Sequence, residues 1–189
     1  MIQIIKPEQF KTIPWKNGQG QTTELAISPG GTLTDFDWRL SIARVNENGA
    51  FSDFSGYDRQ LILLSGNGIT LTHDEKCTDE LSHPLSVAKF DGGSRTVGTL
   101  VDGPIKDFNV MTKQHKFKAE VATYIQPQTI SCITTALSFI YAAQQSIQIQ
   151  TKQNDFELTQ GYLLQVFNET ELNLKASGQG FIVVTLQLH

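Results

Sequence analysis

The sequence predicts an all-β protein built from two similar antiparallel modules. Short alternating or apolar runs are separated by turn residues, long helical periodicity is absent, and one strand–turn–strand spacing occurs twice. Hydrophobic residues make up 39% of the 189 positions and charged residues 18%, which is typical of a globular chain with a packed core.

The clearest strands of the first half carry different chemistry on their two faces. In the run 38–45, Trp38 and Leu40 point to one side while Arg39 and Ser41 point to the other. Two further apolar runs cover residues 59–64 and 69–73. The Asn67-Gly68 pair between them predicts that these two runs form a β-hairpin.

The second half repeats this organisation. We predict strands in the runs 146–150, 162–167, 171–175 and 181–188, and a short helix only near residues 6–10. A shift of 78 positions lays residues 61–64 on 139–142 and residues 69–72 on 147–150 without a gap. This favours two related modules, which we place at residues 1–110 and 111–189 and expect to pack closely as one compact unit.

Charge and composition exclude several classes of partner. The formal net charge is −4 with no block of Lys or Arg, so we expect no nucleic-acid partner. The start of the chain lacks the pattern of a signal peptide, and no apolar run reaches the ~20 residues that span a bilayer. We therefore expect a cytoplasmic protein without a membrane partner, in which Cys77 and Cys132 stay reduced.

Metal and nucleophile signatures are weak. The four histidines include no two closer than ten positions, and His73, followed by two acidic residues, is interpreted as a polar strand end. Imidazoles that share one ion usually stand two or four positions apart, so we predict no metal site and no cofactor. There is also no G-x-S-x-G elbow, and neither cysteine has a histidine nearby in the sequence.

Several ordered motifs carry a resemblance to a known family. The chain resembles the HutD/Ves family through a W-x-N-G-G-G-x-T-x-E opening, a W-R-x-S strand, a G-P-F-S-x-F-P-G-x-D-R loop and a D-F-N-x-M segment. Here these are found in residues 15–24, 38–41, 49–59 and 107–111. The sequence departs from the family pattern at three loop positions, Gln19, Ala50 and Ser55.

The resemblance implies a fold and a role. The fold is a bicupin, that is, two antiparallel cupin-type β-barrels. The implied role is regulation of histidine utilisation or of a stress response, with a small anionic metabolite such as formylglutamate as the ligand.

Polar residues on the predicted strands are the candidate site. Arg39 and Ser41 share one strand face, as do Asp107 and Asn109, and a guanidinium inside a cupin is suited to a carboxylate. An equally physical interpretation is structural, with Arg39 paired to Glu24 or Asp107 to satisfy a partly buried charge. The candidate ligand-binding residues are Asn17, Glu24, Arg39, Ser41, Arg59, Asp107 and Asn109. We interpret Trp15 and Trp38 as packing residues.

The sequence leaves three functions open. The favoured hypothesis is a non-catalytic binding protein for a small anionic metabolite. The alternative is a metal-independent enzyme, an isomerase or hydrolase, with Glu24 or Asp107 as general base. The third is a structural interaction module without a coherent pocket. A homodimer is a further expectation, because barrels of this kind often associate through edge strands.

Overall fold

A computed structural model describes residues 2–15, 18, 20–134, 136–167 and 172–189. Their regular secondary structure is almost entirely strand, which confirms the all-β prediction, and their one helical segment is a 3-10 turn at Pro7–Gln9. No helix among them is long and apolar enough to cross a membrane. The strands are β1 (Ile2–Ile5), β2 (Lys11–Pro14), β3 (Gly20–Ile27), β4 (Trp38–Val45), β5 (Gly49–Ala50), β6 (Tyr57–Ser65), β7 (Ile69–His73), β8 (Cys77–Leu81), β9 (Val87–Asp91), β10 (Thr96–Leu100), β11 (Ile105–Lys113), β12 (Phe117–Tyr124), β13 (Gln128–Thr134), β14 (Leu137–Ala142), β15 (Ile147–Thr151), β16 (Asp155–Leu158), β17 (Leu163–Val166), β18 (Leu172–Gly178) and β19 (Phe181–Leu188).

The chain divides into two units whose limits differ from the ranges drawn from the sequence. The N-terminal unit is Phe10–Phe117, and the C-terminal unit combines Met1–Gln9 with Lys118–His189. The sequence-based boundary at residues 110 and 111 falls inside β11, which pairs with β4 and β6 along most of its length. Residues 1–9 group with the second unit because β1 pairs with β17.

The two units share one strand order. In the N-terminal unit the sheets run β2-β3-β4-β11-β6-β9 and β5-β10-β7-β8; in the C-terminal unit they run β1-β17-β14-β19-β12 and β13-β18-β15-β16. Adding eight to each label from β4 to β11 converts the first arrangement into the second, apart from the added edge strands β1, β2 and β3. The internal duplication predicted from spacing is therefore present in the topology. In the described pairings each unit is a pair of sheets, and these sheets are not closed into barrels.

The predicted β6–β7 hairpin is wrong. β6 pairs with β11 and β9 in one sheet, whereas β7 pairs with β8 and β10 in the other, so the segment around Asn67-Gly68 carries the chain between sheets. Gly66, with φ +103°, makes this crossing possible, because a Cβ there would lie 2.7 Å from the backbone oxygen of Pro104. Two apolar runs with a Gly turn look the same from the sequence whether they pair or separate.

The actual hairpin joins β7 to β8 through a turn without glycine. The Lys76 N–H donates to the His73 carbonyl at 2.9 Å. Asp74 and Glu75, at the centre of the turn, have φ of 51° and 59°, which is the left-handed region that a type I′ turn requires. The Asp-Glu pair is an unfavourable choice for that backbone, so the sequence signal was weak.

The gapless shift of 78 positions holds for one pair of strands and fails for another. Ile69 and Ile147 both begin an inward-facing apolar series, so β7 and β15 match in register. In β6 the inward core residue is Leu61, whereas in β14 it is Ile140, one position beyond the predicted partner Phe139. A slip of one residue exchanges the two faces of a strand, and here it is absorbed in the crossing after β14.

Each unit has its own apolar core between its two sheets. In the N-terminal unit, Leu61 and Leu63 of β6 pack with Ile69 and Leu71 of β7 and with Ile105 of β11. In the C-terminal unit the corresponding cluster includes Ile140, Ile147 and Phe181. These cores fill one end of each sandwich, and in the N-terminal unit the same strands carry polar residues at the other end.

The left-handed turn predicts that Glu75→Gly stabilises the protein. Glycine removes the steric cost of positive φ, and the exposed Arg95–Glu75 ion pair contributes little. We expect the free energy of unfolding to rise by about 0.5–1 kcal/mol in urea titrations. The matched control, Glu80→Gly at an exposed position inside β8, should lower it by about as much. Destabilisation by Glu75→Gly would contradict this account of the turn.

Candidate functional site

The N-terminal unit contains a cavity of about 570 Å³ on the inner face of its six-stranded sheet. Alternate residues of β4 line it, together with residues from β6 and β11 and from the segment that follows β5. Its polar lining includes Arg39, Ser41, Arg59 and Asn109, and its apolar lining includes Phe51. Four of the residues predicted from the sequence thus meet in one cavity.

Strand register explains why these residues share a face. Met111 lies in β11 directly between Arg39 of β4 and Arg59 of β6, so the two arginines flank it on one row. Neighbouring strands lie about 4.8 Å apart, which places the two arginine Cα atoms about 10 Å from each other. Asn109 and Asp107 occupy the next two inward positions of β11. Side chains directly opposite in an antiparallel pair point to the same side, so the whole set faces inward.

Arg39 forms a short ion pair with Glu24. Its Nε donates to Glu24 Oε2 at 2.9 Å, and Arg39 as a whole is only 5% exposed. Glu24 lies opposite Ser41 and reaches Arg39 diagonally, beside an irregularity in β3 between Glu24 and Ala26. Of the two structural partners considered from the sequence, Glu24 is therefore the one that pairs with Arg39.

Arg59 is held by one hydrogen bond and three aromatic rings. Its NH2 group donates to Asn109 Oδ1 at 3.0 Å, while its buried Nε has no hydrogen-bond partner among the described residues. The guanidinium carbon lies 5.4, 5.5 and 5.1 Å from the ring centres of Phe51, Phe54 and Phe90. These rings compensate part of the cost of burying a cation. Burial lowers the Arg59 pKa to about 10, against the opposing charge of Asp107, so the side chain remains positive at neutral pH.

Asp107 lies on the same inner face as Asn109 but is not part of the cavity lining. It is fully buried and accepts a hydrogen bond from Asn109 Nδ2 through Oδ1, whereas its Oδ2 has no partner in the described structure. Burial raises the pKa of its carboxyl group to about 7, although Arg59 and the Asn109 hydrogen bond both act in the opposite direction. Asp107 is absent from the cavity lining, unlike its neighbour Asn109.

The sequence analysis did not predict the aromatic partners of Arg59. Phe51 and Phe54 belong to the same motif as Arg59, which was a usable signal, whereas Phe90 comes from β9 and had none. Gly98 in β10 makes room for this arrangement, because a Cβ there would lie 2.7 Å from Cε2 of Phe51. Trp15, interpreted as a packing residue, also lines the cavity and donates from Nε1 to Thr22 Oγ1 at 2.8 Å.

The other predicted candidates have separate outcomes. Asn17 lies outside the described residues. Trp38 is 5% exposed, in keeping with a packing residue. His73 is the last residue of β7, as a polar strand end would be, but it is only 7% exposed, and Thr96 and Asp79 bind its two ring nitrogens at 2.9 and 3.1 Å. Within the described ranges, no three His, Cys, Asp or Glu residues form a group that could hold a metal ion.

Comparison with known proteins identifies a family. A family model described as HutD matches residues 7–184. An uncharacterised 21.2 kDa protein in the hutC 3′ region of Pseudomonas putida is 32% identical over 78% of this chain and 77% of its own. Protein Ves of Cronobacter sakazakii is 32% identical over 87% of this chain and 88% of its own.

Solved structures agree with this assignment. HutD from Pseudomonas fluorescens SBW25, described with the words "Formate condition", superposes with a TM-score of 0.87 at 29% identity and covers 100% of both chains. A cupin 2 conserved barrel domain protein from Leptotrichia buccalis has a TM-score of 0.57 at 8% identity, over 95% of this chain and 96% of its own, and shares the fold alone. The cupin-type fold expected from the motifs is thus supported.

The buried Asp107 carboxyl group predicts a pH-dependent stability. Because folding raises its pKa from 3.8 to about 7, the folded state binds the proton more tightly. Its contribution to stability is therefore fully present below about pH 4 and is lost as pH rises through 7. Asp107→Asn should raise the free energy of unfolding at pH 8 by roughly 1–4 kcal/mol, with a smaller difference at pH 5. Urea titrations at both pH values measure this, and an equal change at both would refute the burial effect.

Proposed function

The chain belongs to the HutD family, and on that premise we propose that it is a non-catalytic binding protein for a small anionic metabolite. The anion would sit in the cavity of the N-terminal unit between Arg39 and Arg59. The observation that carries this proposal is the burial of two guanidinium groups, 5% and 6% exposed, on one row of a cavity wall. Burying a cation without a full set of partners costs stability, and a carboxylate ligand would supply the missing acceptors.

The fold itself does not require these charges. In the N-terminal unit, Arg59 of β6 lies opposite Met111 of β11. The corresponding pair in the C-terminal unit is Ser138 of β14 and Thr185 of β19. Val183 and Phe181 occupy the positions of Asn109 and Asp107 by the same pairing. The cavity of the C-terminal unit, about 370 Å³, is lined by Ser138, Thr185 and Val183 together with other residues, and no Arg or Lys is among its described lining. The same sandwich is therefore built without arginines, which supports a ligand role for those of the N-terminal unit.

Charge balance supports an anion rather than a cation. Arg39 and Arg59 contribute two positive charges to the inner face. Glu24 neutralises one of them directly, and Asp107, with a pKa near 7, supplies only part of a second negative charge at neutral pH. Glu47 also lines the cavity, but it is exposed to solvent, which screens its charge. The hydrogen-bonding groups of Ser41 and Asn109 line the same wall and could orient a neutral part of the ligand, such as an amide.

We propose that the ligand resembles formylglutamate, which has two carboxylates and a formamide group. A spacing of about 10 Å between the two arginine Cα atoms suits a molecule with two separated anionic ends. The related structure from Pseudomonas fluorescens is described with a formate condition, and formate is the smallest carboxylate. One relative is named for its place in the hutC 3′ region. On this basis we propose a role in regulating histidine utilisation or a stress response.

An enzyme is the second candidate, and Asp107 is the observation that favours it. A carboxyl group with a pKa near 7 can exchange a proton at neutral pH, as a general base must. However, Asn109 separates Asp107 from the cavity, and Glu24 is engaged by Arg39. Turnover of a candidate substrate that is lost in Glu24→Gln or Asp107→Asn would establish the enzyme in place of the binding protein.

The binding proposal predicts that Arg59→Met weakens anion binding. Methionine keeps a flexible apolar stem among the phenyl rings but removes the charge. We expect the Kd for N-formylglutamate to rise at least tenfold, since losing one partner of a buried charge pair costs about 2–5 kcal/mol. Isothermal titration calorimetry measures this, and Arg39→Met should have a similar effect.

The matched control is Arg44→Met, because Arg44 is an exposed residue of β4 that binds Asn46 outside the cavity. Its Kd should equal that of the wild type. A thermal-shift panel of histidine, urocanate, formiminoglutamate, formylglutamate, glutamate and formate tests the ligand class. If no carboxylate in the panel binds, or if Arg59→Met binds as well as the control, the proposed function is wrong.

A further inference from the structure

We propose that Asp107 is a positioning residue that couples anion binding at Arg59 to the uptake of one proton from solvent. It acts through Asn109 and does not touch the ligand. This inference rests on the proposed function, because it assigns a form of regulation to the same site. It predicts that the protein binds its anion more tightly as the pH falls.

A chain of two hydrogen bonds joins the buried carboxyl group to the cavity. Asp107 Oδ1 accepts from the amide nitrogen of Asn109, and the amide oxygen of Asn109 accepts from Arg59 NH2. This fixes the orientation of the Asn109 amide, because each end has one kind of partner. Asp107 therefore acts as a counter-charge of Arg59 through the bridging Asn109 side chain, and no direct ion pair joins the two among the described contacts.

Whether Asp107 is ionised depends on the positive charge of Arg59 nearby. One carboxyl oxygen has no hydrogen-bond partner in the described structure, and the residue is 0% exposed. The nearby positive charge of Arg59 is what favours the ionised form against burial, and this balance leaves the pKa near 7. A ligand carboxylate at Arg59 would compete for that same positive charge. The Asp107 carboxylate would then lose its main compensation and take up a proton.

Linkage makes this effect reciprocal. If the bound anion raises the proton affinity of Asp107, protonation of Asp107 must raise the affinity for the anion by the same factor. Above about pH 7 the free protein must first acquire the proton, so the Kd should rise by up to about tenfold per pH unit. Below that pH the group is already protonated and the Kd should level off.

Other ionisable groups face the interior of the same unit. On the neighbouring strands these are Arg39 of β4, Glu24 of β3 and Arg59 of β6; on the opposite sheet they are His73 of β7 and Asp79 of β8. His73 requires a control, because imidazole is the side chain that usually changes charge near neutral pH. Its ring also stacks on Phe90, 4.6 Å between centres, and Phe90 contacts Arg59.

The test compares the pH dependence of anion binding in three proteins. The Kd values of formate and N-formylglutamate are measured from pH 5.5 to 8.5 at constant ionic strength for the wild type, Asp107→Asn and His73→Gln. Both probes stay ionised over this range, so any slope comes from the protein. Asparagine is uncharged and nearly isosteric with the protonated acid, so the Kd of Asp107→Asn should not depend on pH and should be lower than that of the wild type by up to about thirtyfold at pH 8.5. His73→Gln should retain the wild-type slope.

A second measurement needs no variant. Calorimetric titrations of the wild type with N-formylglutamate at pH 8, in two buffers of different ionisation enthalpy, report the protons exchanged on binding. We expect an uptake approaching one proton per bound anion, since Asp107 is mostly ionised in the free protein at that pH. A purely structural role for Asp107 would change the affinity in the variant without proton uptake in the wild type.

The outcomes distinguish failure of the coupling from failure of the proposed anion site. A flat wild-type profile, a slope that persists in Asp107→Asn, a slope that disappears in His73→Gln, or binding without proton uptake would each overturn the coupling while leaving the anion site intact. Absence of binding in every protein at every pH would overturn the proposed function, and the coupling with it.

Discussion

The burial of Arg59 is the constraint on which the rest of the site depends. A guanidinium that is 6% exposed inside a β-sandwich must be compensated from several directions at once. Three phenyl rings surround it, Asn109 accepts one of its hydrogen bonds, and the buried Asp107 supplies a counter-charge. Gly98 lacks a side chain where Phe51 packs. Phe51 and Phe90 also pack against the apolar core, so the residues that compensate the cation are continuous with those that stabilise the sandwich.

The two units offer an internal comparison. They share a strand order and each has its own apolar core, yet only the N-terminal unit places arginines on its described cavity wall. Both sandwiches must be stabilised by the same kinds of packing and strand pairing. The presence of arginines in only one described cavity therefore points to a requirement other than folding. Strand pairing uses backbone groups and does not depend on which side chains face inward. After a duplication, one unit could therefore keep the polar cavity wall while the other lost it.

Much of the fold was predictable because its signals are local. Alternation along β4 and β11 showed which residues share a face of each strand, and the repeated spacing revealed the duplication. The predicted hairpin around Asn67-Gly68 was wrong because a turn sequence indicates that the chain changes direction but not which strands pair on either side of it. The real hairpin was missed because Asp74 and Glu75 adopt positive φ against their usual preference, held there by the pairing of β7 with β8 and β10.

The sequence by itself determined the all-β class, several of the strands, the family motifs and which polar residues share a strand face, since these follow from periodicity and residue type. The tertiary structure decided how those residues work together. It paired Arg39 with Glu24, left Asp107 beside Asn109 but outside the cavity lining, and brought Phe90 to Arg59 from 31 positions away along the chain. Charge pairing and burial depend on distances across strands, and those distances are set only when the sheets form.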